Sequence, residues 1–204
     1  MSTVMALGRR EPETLAGAQC QLRPFKEEQI SERYIHWLND PEVNQFLEVR
    51  LVHQTRETAL AYVRSFYGAT EKYIWGIYPS DGQDLIGTAT LHHINRHHGF
   101  VENGLLIGEK RYWGKGISEE AMALMVQYAF QTLGLRRVIG GTYATNYGMN
   151  FTYKRLGFTC EGRSRQAFVV GPGVYVDAYH WGMLAEDWQT RQRPRVSQMA
   201  HDPE

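Results

Sequence analysis

The sequence predicts an α/β fold, a single domain built on a mixed sheet of about seven strands with helices on both faces. Strand patterns follow one another closely between residues 73 and 107, and strands alternate with helices after residue 100. The length of 204 residues is enough for one hydrophobic core. We place the domain at residues 19–188, with a flexible leader at 1–18 and a flexible tail at 189–204, because neither end shows a sustained hydrophobic period.

The first part of the domain is predicted to contain one strand and two helices. Residues 20–25 alternate as a short strand, which Pro24 places near a sheet edge or a strand end. Apolar residues at helical spacing then predict a helix that ends at residues 39–41, since the residue before a proline is pushed out of helical space. A second helix is predicted at residues 55–67, with Thr55 as its N-cap.

Three strands follow in quick succession. Residues 73–78 are aromatic and β-branched, and a turn at 79–82 leads into a second strand at 85–91. The third strand is predicted at residues 100–107. Between the last two strands lies a histidine-rich link, residues 92–98, which is predicted to be a loop.

Strands and helices alternate in the second half of the chain. A long helix begins at Ile117, because apolar residues then recur at helical spacing. A strand is predicted at residues 137–142, followed by a helix at 147–156 that Gly157 ends as a C-cap. Two final strands complete the sheet, at residues 158–165 and 175–183.

The composition excludes several classes of protein. Lys and Arg total 22, as do Asp and Glu, so no global positive field draws in nucleic acid or an anionic membrane. No apolar run approaches the roughly 20 residues that span a bilayer. The two cysteines are too few for a disulfide framework, and charged residues interrupt any signal-peptide core. We therefore expect a cytoplasmic protein.

Two glycines and two cations stand immediately before the long helix, in the order Arg111-Tyr112-Trp113-Gly114-Lys115-Gly116. Glycines allow successive backbone N–H groups to turn toward one centre, and a helix N-terminus adds unpaired donors and the positive end of its dipole. The spacing differs from that of nucleotide-triphosphate and dinucleotide loops. This turn is therefore either a simple connection or a site for a phosphate or pyrophosphate.

Four segments follow one another in a characteristic order. They are residues 39–43 (Asn-Asp-Pro-Glu-Val), residues 101–108 (Val-Glu-Asn-Gly-Leu-Leu-Ile-Gly), the glycine turn at 111–116, and residues 146–158, which combine an asparagine with a Tyr-Lys-Arg-Leu-Gly-Phe run. Together they resemble the GNAT superfamily of acyl-CoA N-acyltransferases, in the branch of the ribosomal-protein N-terminal (RimJ/RimL-like) acetyltransferases. The resemblance covers about residues 20–184 and implies the fold of that family.

The resemblance also implies a site for acetyl-CoA as co-substrate. Backbone N–H groups of the glycine turn would hold the pyrophosphate, and the backbone of Leu106 and Ile107 would pair with the pantetheine arm. A strand N–H near Ile107 would stabilise the oxyanion. Met149 stands where many relatives carry serine, which removes one hydroxyl contact. The implied cofactor site comprises Leu106, Ile107, Arg111, Trp113, Gly114, Lys115, Gly116, Ile117 and Asn146.

The chemistry implied by the family is attack by a neutral amine on the thioester of acetyl-CoA, so an ammonium must first lose a proton. Tyr153 is the expected acid to the CoA thiolate, and the alternative is that it only fills the core. Glu102 is the expected base, and the alternative is a structural carboxylate. Histidines with near-neutral pKa values compete for the role of base: His92, His93, His97 and His98. We predict no metal site, because no cysteine or cluster of acids accompanies these histidines.

Other segments bear on the acceptor amine. Residues 35–44 resemble bacterial members linked to nucleotide-sugar pathways, so a nucleotide-linked amino sugar is the first hypothesis. A polyamine would favour an acidic pocket, whereas residues 46–51 offer one acid beside one base. A protein N-terminus is a further alternative, and a non-catalytic acyl-CoA-binding sensor would need neither an acid nor a base. Exposed edges of the final strands are compatible with a homodimer.

Overall fold

The structure is a computed structural model that describes residues 12–69 and 71–192, except for the side chains of residues 191 and 192. One sheet contains eight strands: β1 (Leu15–Ala16), β2 (Cys20–Pro24), β3 (Tyr73–Pro79), β4 (Gly87–Asn95), β5 (Phe100–Ile107), β6 (Arg137–Tyr143), β7 (Thr159–Gly171) and β8 (Val174–Leu184). Their order across the sheet is β1-β2-β3-β4-β5-β6-β8-β7. Neighbouring strands are antiparallel except for β5 and β6, which run parallel.

Six α-helices connect or flank these strands: α1 (Glu32–Asn39), α2 (Pro41–Asn44), α3 (Arg56–Arg64), α4 (Ile117–Gln127), α5 (Tyr147–Leu156) and α6 (Ala185–Gln192). The predicted boundary signals operate as expected. The Thr55 side chain accepts a hydrogen bond from the backbone N–H of Thr58 and so caps α3. Gly157 ends α5 with a φ of 86°, which glycine adopts without a steric penalty. A π-helical turn, Tyr128–Thr132, continues α4.

The sheet separates two hydrophobic cores. On one face, α4 and α5 pack through Met122, Met125 and Tyr153 against side chains such as Trp75. On the other face, α1 and α3 bury a cluster that includes Tyr34, Trp37, Val63 and Phe25. Both faces are covered, which explains why every residue of β3 is buried. The predicted fold class, with helices on both faces of a mixed sheet, is confirmed.

The sheet has eight strands rather than about seven because β1 forms within residues 1–18, which were predicted to be a leader. A strand of two residues is too short to leave a periodic pattern. The Glu120 carboxylate accepts hydrogen bonds from the backbone N–H groups of Ala18, Gln19 and Cys20, at 2.8, 2.8 and 2.7 Å, and so ties this segment to α4. The pKa of Cys20 is raised to about 12, mainly by burial and secondly by the negative charge of Glu120. Its thiol is therefore unreactive.

At the other end of the domain, α6 extends to Gln192, beyond residue 188, where the tail was predicted to begin. Residues 1–11 and 193–204, on which the remaining leader and tail predictions fall, lie outside the described residues. Within residues 12–69 and 71–192, no helix combines the length and the apolar character needed to cross a membrane.

The prediction of a loop over residues 92–98 is wrong at its start, because β4 continues to Asn95. The pairing of β4 with β5 shifts register between His92 and Asn95, and His93 has a φ of 54°. Such a bulge interrupts the alternation of a strand, so the sequence pattern that would reveal the strand is lost.

Candidate active site

The central feature of the sheet is the point where β5 and β6 separate. Only three pairs join the two strands, Phe100, Val101 and Glu102 with Arg137, Val138 and Ile139. Beyond these three pairs, residues 103–107 of β5 do not pair with residues 140–143 of β6. Two strand edges therefore line a cleft in the middle of the sheet, where an extended ligand can pair with the backbone.

The glycine turn lies at one end of this cleft. Gly114 and Gly116 have φ values of 70° and 84°, a region that side chains disfavour, and α4 begins directly afterwards at Ile117. The N-terminal N–H groups of α4 and the positive end of its dipole thus face the same space. A groove of about 500 Å³ runs from this turn between β5 and the start of α5.

Seven of the nine predicted cofactor residues line this groove, namely Leu106, Ile107, Trp113, Gly114, Lys115, Gly116 and Asn146. Arg111 does not line it. The Arg111 side chain is 61% exposed, lies 3.4 Å from the Glu109 carboxylate and packs over the ring of Tyr112. The side chain of Ile117 is buried in the core, which leaves its backbone as the only part that a ligand at the turn could contact.

The backbone of Leu106 faces β4 rather than the cleft, contrary to the sequence prediction. Its carbonyl lies so close to Gly87 that a Cβ at Gly87 would be 2.1 Å from the oxygen. Because backbone groups alternate along a strand, the cleft side of β5 belongs to Leu105 and Ile107. The Ile107 carbonyl accepts a hydrogen bond from the indole Nε1 of Trp113 at 2.8 Å, which holds the turn against β5.

Asn146 connects the groove to α5. Its Oδ1 accepts a hydrogen bond of 3.1 Å from the backbone N–H of Met149 and caps the helix. Asn150, one turn later, donates to the carbonyls of Tyr143 and Ala144 at 3.1 and 3.2 Å. These bonds fix the start of α5 against the end of β6, and so fix one wall of the groove.

Tyr153 extends from α5 to the point where β5 and β6 separate. Its hydroxyl donates to Asn103 Oδ1 of β5 at 3.2 Å. A Cβ at Gly140 of β6 would be 1.9 Å from the same hydroxyl, so only glycine leaves room for it. The ring stacks on Trp181 with centroids 5.5 Å apart, and Tyr153 is 2% exposed. Burial raises the pKa of Tyr153, so the phenol keeps its proton.

Glu102 lies on the opposite face of β5 from Asn103 and contacts two histidines of β4. Its Oε2 is 3.0 Å from His93 Nδ1 and 3.7 Å from His92 Nε2. Consecutive strand residues normally point to opposite faces, and the bulge at His93 brings both rings to this carboxylate. Gly104 leaves space for the His92 ring, since a Cβ there would be 3.3 Å from its Cε1.

Burial lowers the pKa of His92 below its ordinary value, although the nearby charge of Glu102 opposes this effect. His92 is therefore a neutral imidazole near neutral pH and is able to accept a proton. The three side chains are also suitable metal ligands, and their ligand atoms lie within 4.8 Å of one another. Of the other predicted competitors, His97 and His98 pack edge to face in the turn after β4, with ring centroids 4.7 Å and planes 74° apart.

Comparison with known proteins decides the family. The family model of the acetyltransferase (GNAT) domain matches residues 20–159, well over half of the chain. This chain belongs to the GNAT acetyltransferase family. The glycine turn, the separated strands and the helix that carries Tyr153 all lie within the matched part of this GNAT domain.

Individual relatives support the same assignment. "Probable N-acetyltransferase YjcK" of Bacillus subtilis (strain 168) is 35% identical over 119 residues, which cover 57% of this chain and only 64% of that relative. The ribosomal protein uS5-alanine N-acetyltransferase of Escherichia coli (strain K12) is 24% identical over 135 residues, 65% of this chain and 68% of that protein. The predicted likeness to ribosomal-protein acetyltransferases is thereby confirmed.

Among solved structures, spermidine N-acetyltransferase from Vibrio cholerae in complex with CoA and spermine superposes with a TM-score of 0.76. The superposition covers 85% of this chain and 99% of the Vibrio cholerae chain, and the two sequences are 18% identical. At this identity the likeness shows the shared fold.

Several residues of the GNAT domain's site were missed by sequence reasoning. Asn103 and Gly140 contact the Tyr153 hydroxyl, and Arg155 lines the groove while pairing with Glu119 at 2.8 Å. Two adjacent glycines in β6, at 140 and 141, were a usable signal, because glycine within a strand often marks a close approach. The sequence pattern contains no comparable signal for Asn103 or Arg155.

Proposed function

We propose that this GNAT domain transfers an acetyl group from acetyl-CoA to the nitrogen of a primary amine. The observation that carries the proposal is the cleft where β5 and β6 separate, with the glycine turn at one end and the Tyr153 hydroxyl at its closed end. When bound, acetyl-CoA supplies an activated acyl group as a thioester. The chain would then bind and orient the two substrates and move protons.

The groove offers suitable groups for a pyrophosphate and a pantetheine arm. Backbone N–H groups at the start of α4 and the Lys115 ammonium would hold the anion, with Arg155 as a second cation in place of Arg111. The cleft-side backbone of Leu105 and Ile107 would pair with the amide groups of the arm. The Asn146 side chain, which lines the groove, would add a hydrogen bond.

Tyr153 is the proposed acid for the departing thiolate. A raised pKa keeps the hydroxyl protonated, and the phenol remains a stronger acid than water, so it can donate when negative charge develops on sulfur. Asn103 and Gly140 hold the hydroxyl at the point where the two strands part. Donation to a thiolate requires the hydroxyl to exchange its hydrogen bond with Asn103 for one with sulfur.

Glu102 is the proposed base, acting directly or through water on the ammonium of the acceptor. It is partly exposed and contacts His92 and His93, which stay as competitors for the same proton. All three lie on the face of β5 opposite Tyr153. A base on one face and an acid on the other would place the amine and the leaving thiolate on opposite sides of the reacting carbonyl.

The acceptor in this proposal is a small primary amine, with a nucleotide-linked amino sugar as the first candidate. Two relatives are named for other acceptors, a ribosomal protein and spermidine, so a protein N-terminus and a polyamine are the alternatives. A non-catalytic acyl-CoA sensor is a further alternative. A cytoplasmic location and a homodimer stay predictions.

Release of free CoA thiol from acetyl-CoA tests the proposal, with a panel of UDP- and dTDP-linked amino sugars, spermidine and peptides with free N-termini. We expect amine-dependent thiol release and an acetylated product of the corresponding mass. Tight binding of CoA without turnover on any amine would contradict the proposal and favour the sensor.

A further inference from the structure

A second cavity adjoins the cofactor groove. It has a volume of about 740 Å³ and lies among the α1–α3 connection, the link from β6 to α5, and the tip of the β7–β8 hairpin. Gln45 and Phe46 line both spaces and form the wall between them. A molecule in this cavity would therefore lie next to the proposed cofactor.

The cavity has one fixed charge. Its described lining residues are Asn39, Pro41, Asn44, Gln45, Phe46, Arg50, Val52, His53, Thr145, Val170 and Val176. Arg50 is always protonated, and His53 is the other ionisable group. No carboxylate occurs among these lining residues, so a polycation has no counter-charge there. An anion has one.

Neutral groups hold Arg50 in place. Its Nη2 donates to the Tyr143 hydroxyl at 3.2 Å and to the Val169 carbonyl at 2.7 Å. The Tyr143 ring stacks on Phe168, with centroids 3.7 Å apart and planes 6° apart, and this stack supports the guanidinium. Glu48 also belongs to this network, because its carboxylate accepts a hydrogen bond of 2.8 Å from the Tyr143 hydroxyl. Tyr143 therefore stands between Glu48 and Arg50.

The guanidinium also has unused donor capacity. Its two hydrogen bonds to described residues both leave from Nη2, so Nη1 has no partner among those residues, and neither has the enclosed Nε. Enclosing a charged donor without an anionic partner costs free energy. A planar guanidinium matches carboxylate and phosphate oxygens in a two-point geometry, which an ammonium cannot do. The arrangement thus suits a ligand that brings its own negative charge.

We propose that the acceptor amine carries an anionic group, a carboxylate or a phosphate, and that Arg50 binds this group in the second cavity. This inference rests on the proposed acetyl transfer and specifies the class of its substrate. Anionic amines, which include nucleotide-linked amino sugars, fit the cavity, whereas free polyamines lack the group that Arg50 requires. Arg50 is then a specificity-determining residue.

Matched pairs of amines test the inference, since each pair differs in one group. The pairs are β-alanine with β-alaninamide and O-phosphoethanolamine with ethanolamine, and spermidine serves as a polycation. We expect kcat/KM to be about 10-fold to 100-fold higher for the anionic member of at least one pair, the range of a charge-assisted hydrogen bond. The pair that shows the preference identifies the anion as carboxylate or phosphate.

Arg50→Gln should reduce this ratio of anionic to neutral amine to about one, and Arg50→Lys should retain part of it. Arg64→Gln is the matched control, because Arg64 is an exposed arginine that pairs with Glu27 and lines neither cavity. Circular dichroism and thermal melting verify that each variant is folded.

Equal rates within both pairs, or an unchanged ratio in a folded Arg50→Gln variant, would overturn the inference and leave acetyl transfer intact. A higher kcat/KM for spermidine than for every anionic amine would also overturn the inference and leave acetyl transfer intact. Absence of turnover on every amine, including the nucleotide-linked amino sugars and peptides of the first panel, would instead contradict the proposed function itself.

Discussion

The two sides of the cleft are built differently. On the cofactor side, the groups that would hold acetyl-CoA come from two short segments, residues 105–116 and 146–155, at the ends of regular elements. The hydrogen bond that positions Trp113 joins residues 6 apart in the chain. On the acceptor side, the bond from Arg50 to the Val169 carbonyl joins residues 119 apart. Local chain geometry thus builds the first side, and packing of distant segments builds the second.

This difference explains how one fold can serve several acceptors. The glycine turn and helix N-terminus keep their anion-binding geometry as long as a few neighbouring residues are kept. The acceptor cavity depends on the α1–α3 connection, the link from β6 to α5 and the β7–β8 hairpin, and such segments change length and composition readily. The cofactor side is therefore the part that resembles a family, and the acceptor side is the part that distinguishes this chain.

The largest effect is expected from Tyr153→Phe, which removes the proposed acid while the ring stays stacked on Trp181. We expect kcat to fall about 100-fold or more, with little change in the affinity for acetyl-CoA, since the hydroxyl would act on the leaving group. Steady-state kinetics and calorimetric titration measure the two quantities. Tyr179→Phe is the matched control, because this tyrosine also contacts Trp181. An unchanged kcat in the first variant would remove Tyr153 from the mechanism.

A second test separates the glycine turn from the rest of the fold. Gly114 and Gly134 have φ values of 70° and 65°, and a Cβ at either position would meet no atom within 4 Å. Alanine should therefore cost similar stability at both positions, about 1 kcal/mol. Only Gly114→Ala should raise the Kd for acetyl-CoA, about tenfold, because Gly114 lines the groove. Equal Kd values in the two variants would mean that the turn is a simple connection.

The third test concerns the base on the acceptor side. With wild type, kcat/KM should rise with pH as the base loses its proton, and Glu102→Gln should abolish this rise. If the rise persists and His92→Gln removes it, His92 is the base. Its midpoint should then lie below about 6.5, since burial lowers the pKa of His92. In Glu102→Gln the midpoint would fall further, because the carboxylate that favours the imidazolium is gone.

The smallest effect is expected at the bulge that brings His93 to Glu102. His93 has a φ of 54°, which a side chain disfavours and glycine accepts. His93→Gly should therefore be more stable than His93→Ala by about 1 kcal/mol, although both lose the contact with Glu102. A difference of about 2–4 °C in Tm would follow. If the alanine variant melts at the same temperature or higher, the bulge carries no strain.

Much of the fold was predictable because its signals are local. The cap at Thr55, the turn at residues 39–41 and the glycine that ends α5 each depend on neighbours within four residues, and each lies where the sequence placed it. The predictions failed where no such pattern exists. A strand of two residues has no period, and the bulge at His93 erases the alternation that reveals a strand.

In the candidate site, too, some features follow from neighbouring residues and others depend on the tertiary structure. The sequence by itself determined the anion-binding turn, the strand before it and the helix that carries Tyr153, since backbone conformation at glycines and helix ends depends on adjacent residues. Only the tertiary structure decided that Arg111 turns away, that Leu106 faces β4, and that Asn103 and Gly140 enclose the Tyr153 hydroxyl. It alone also decided that Arg50, Tyr143 and Phe168 meet in one cavity. These contacts join residues far apart in the chain, so their geometry depends on how the strands pair and pack.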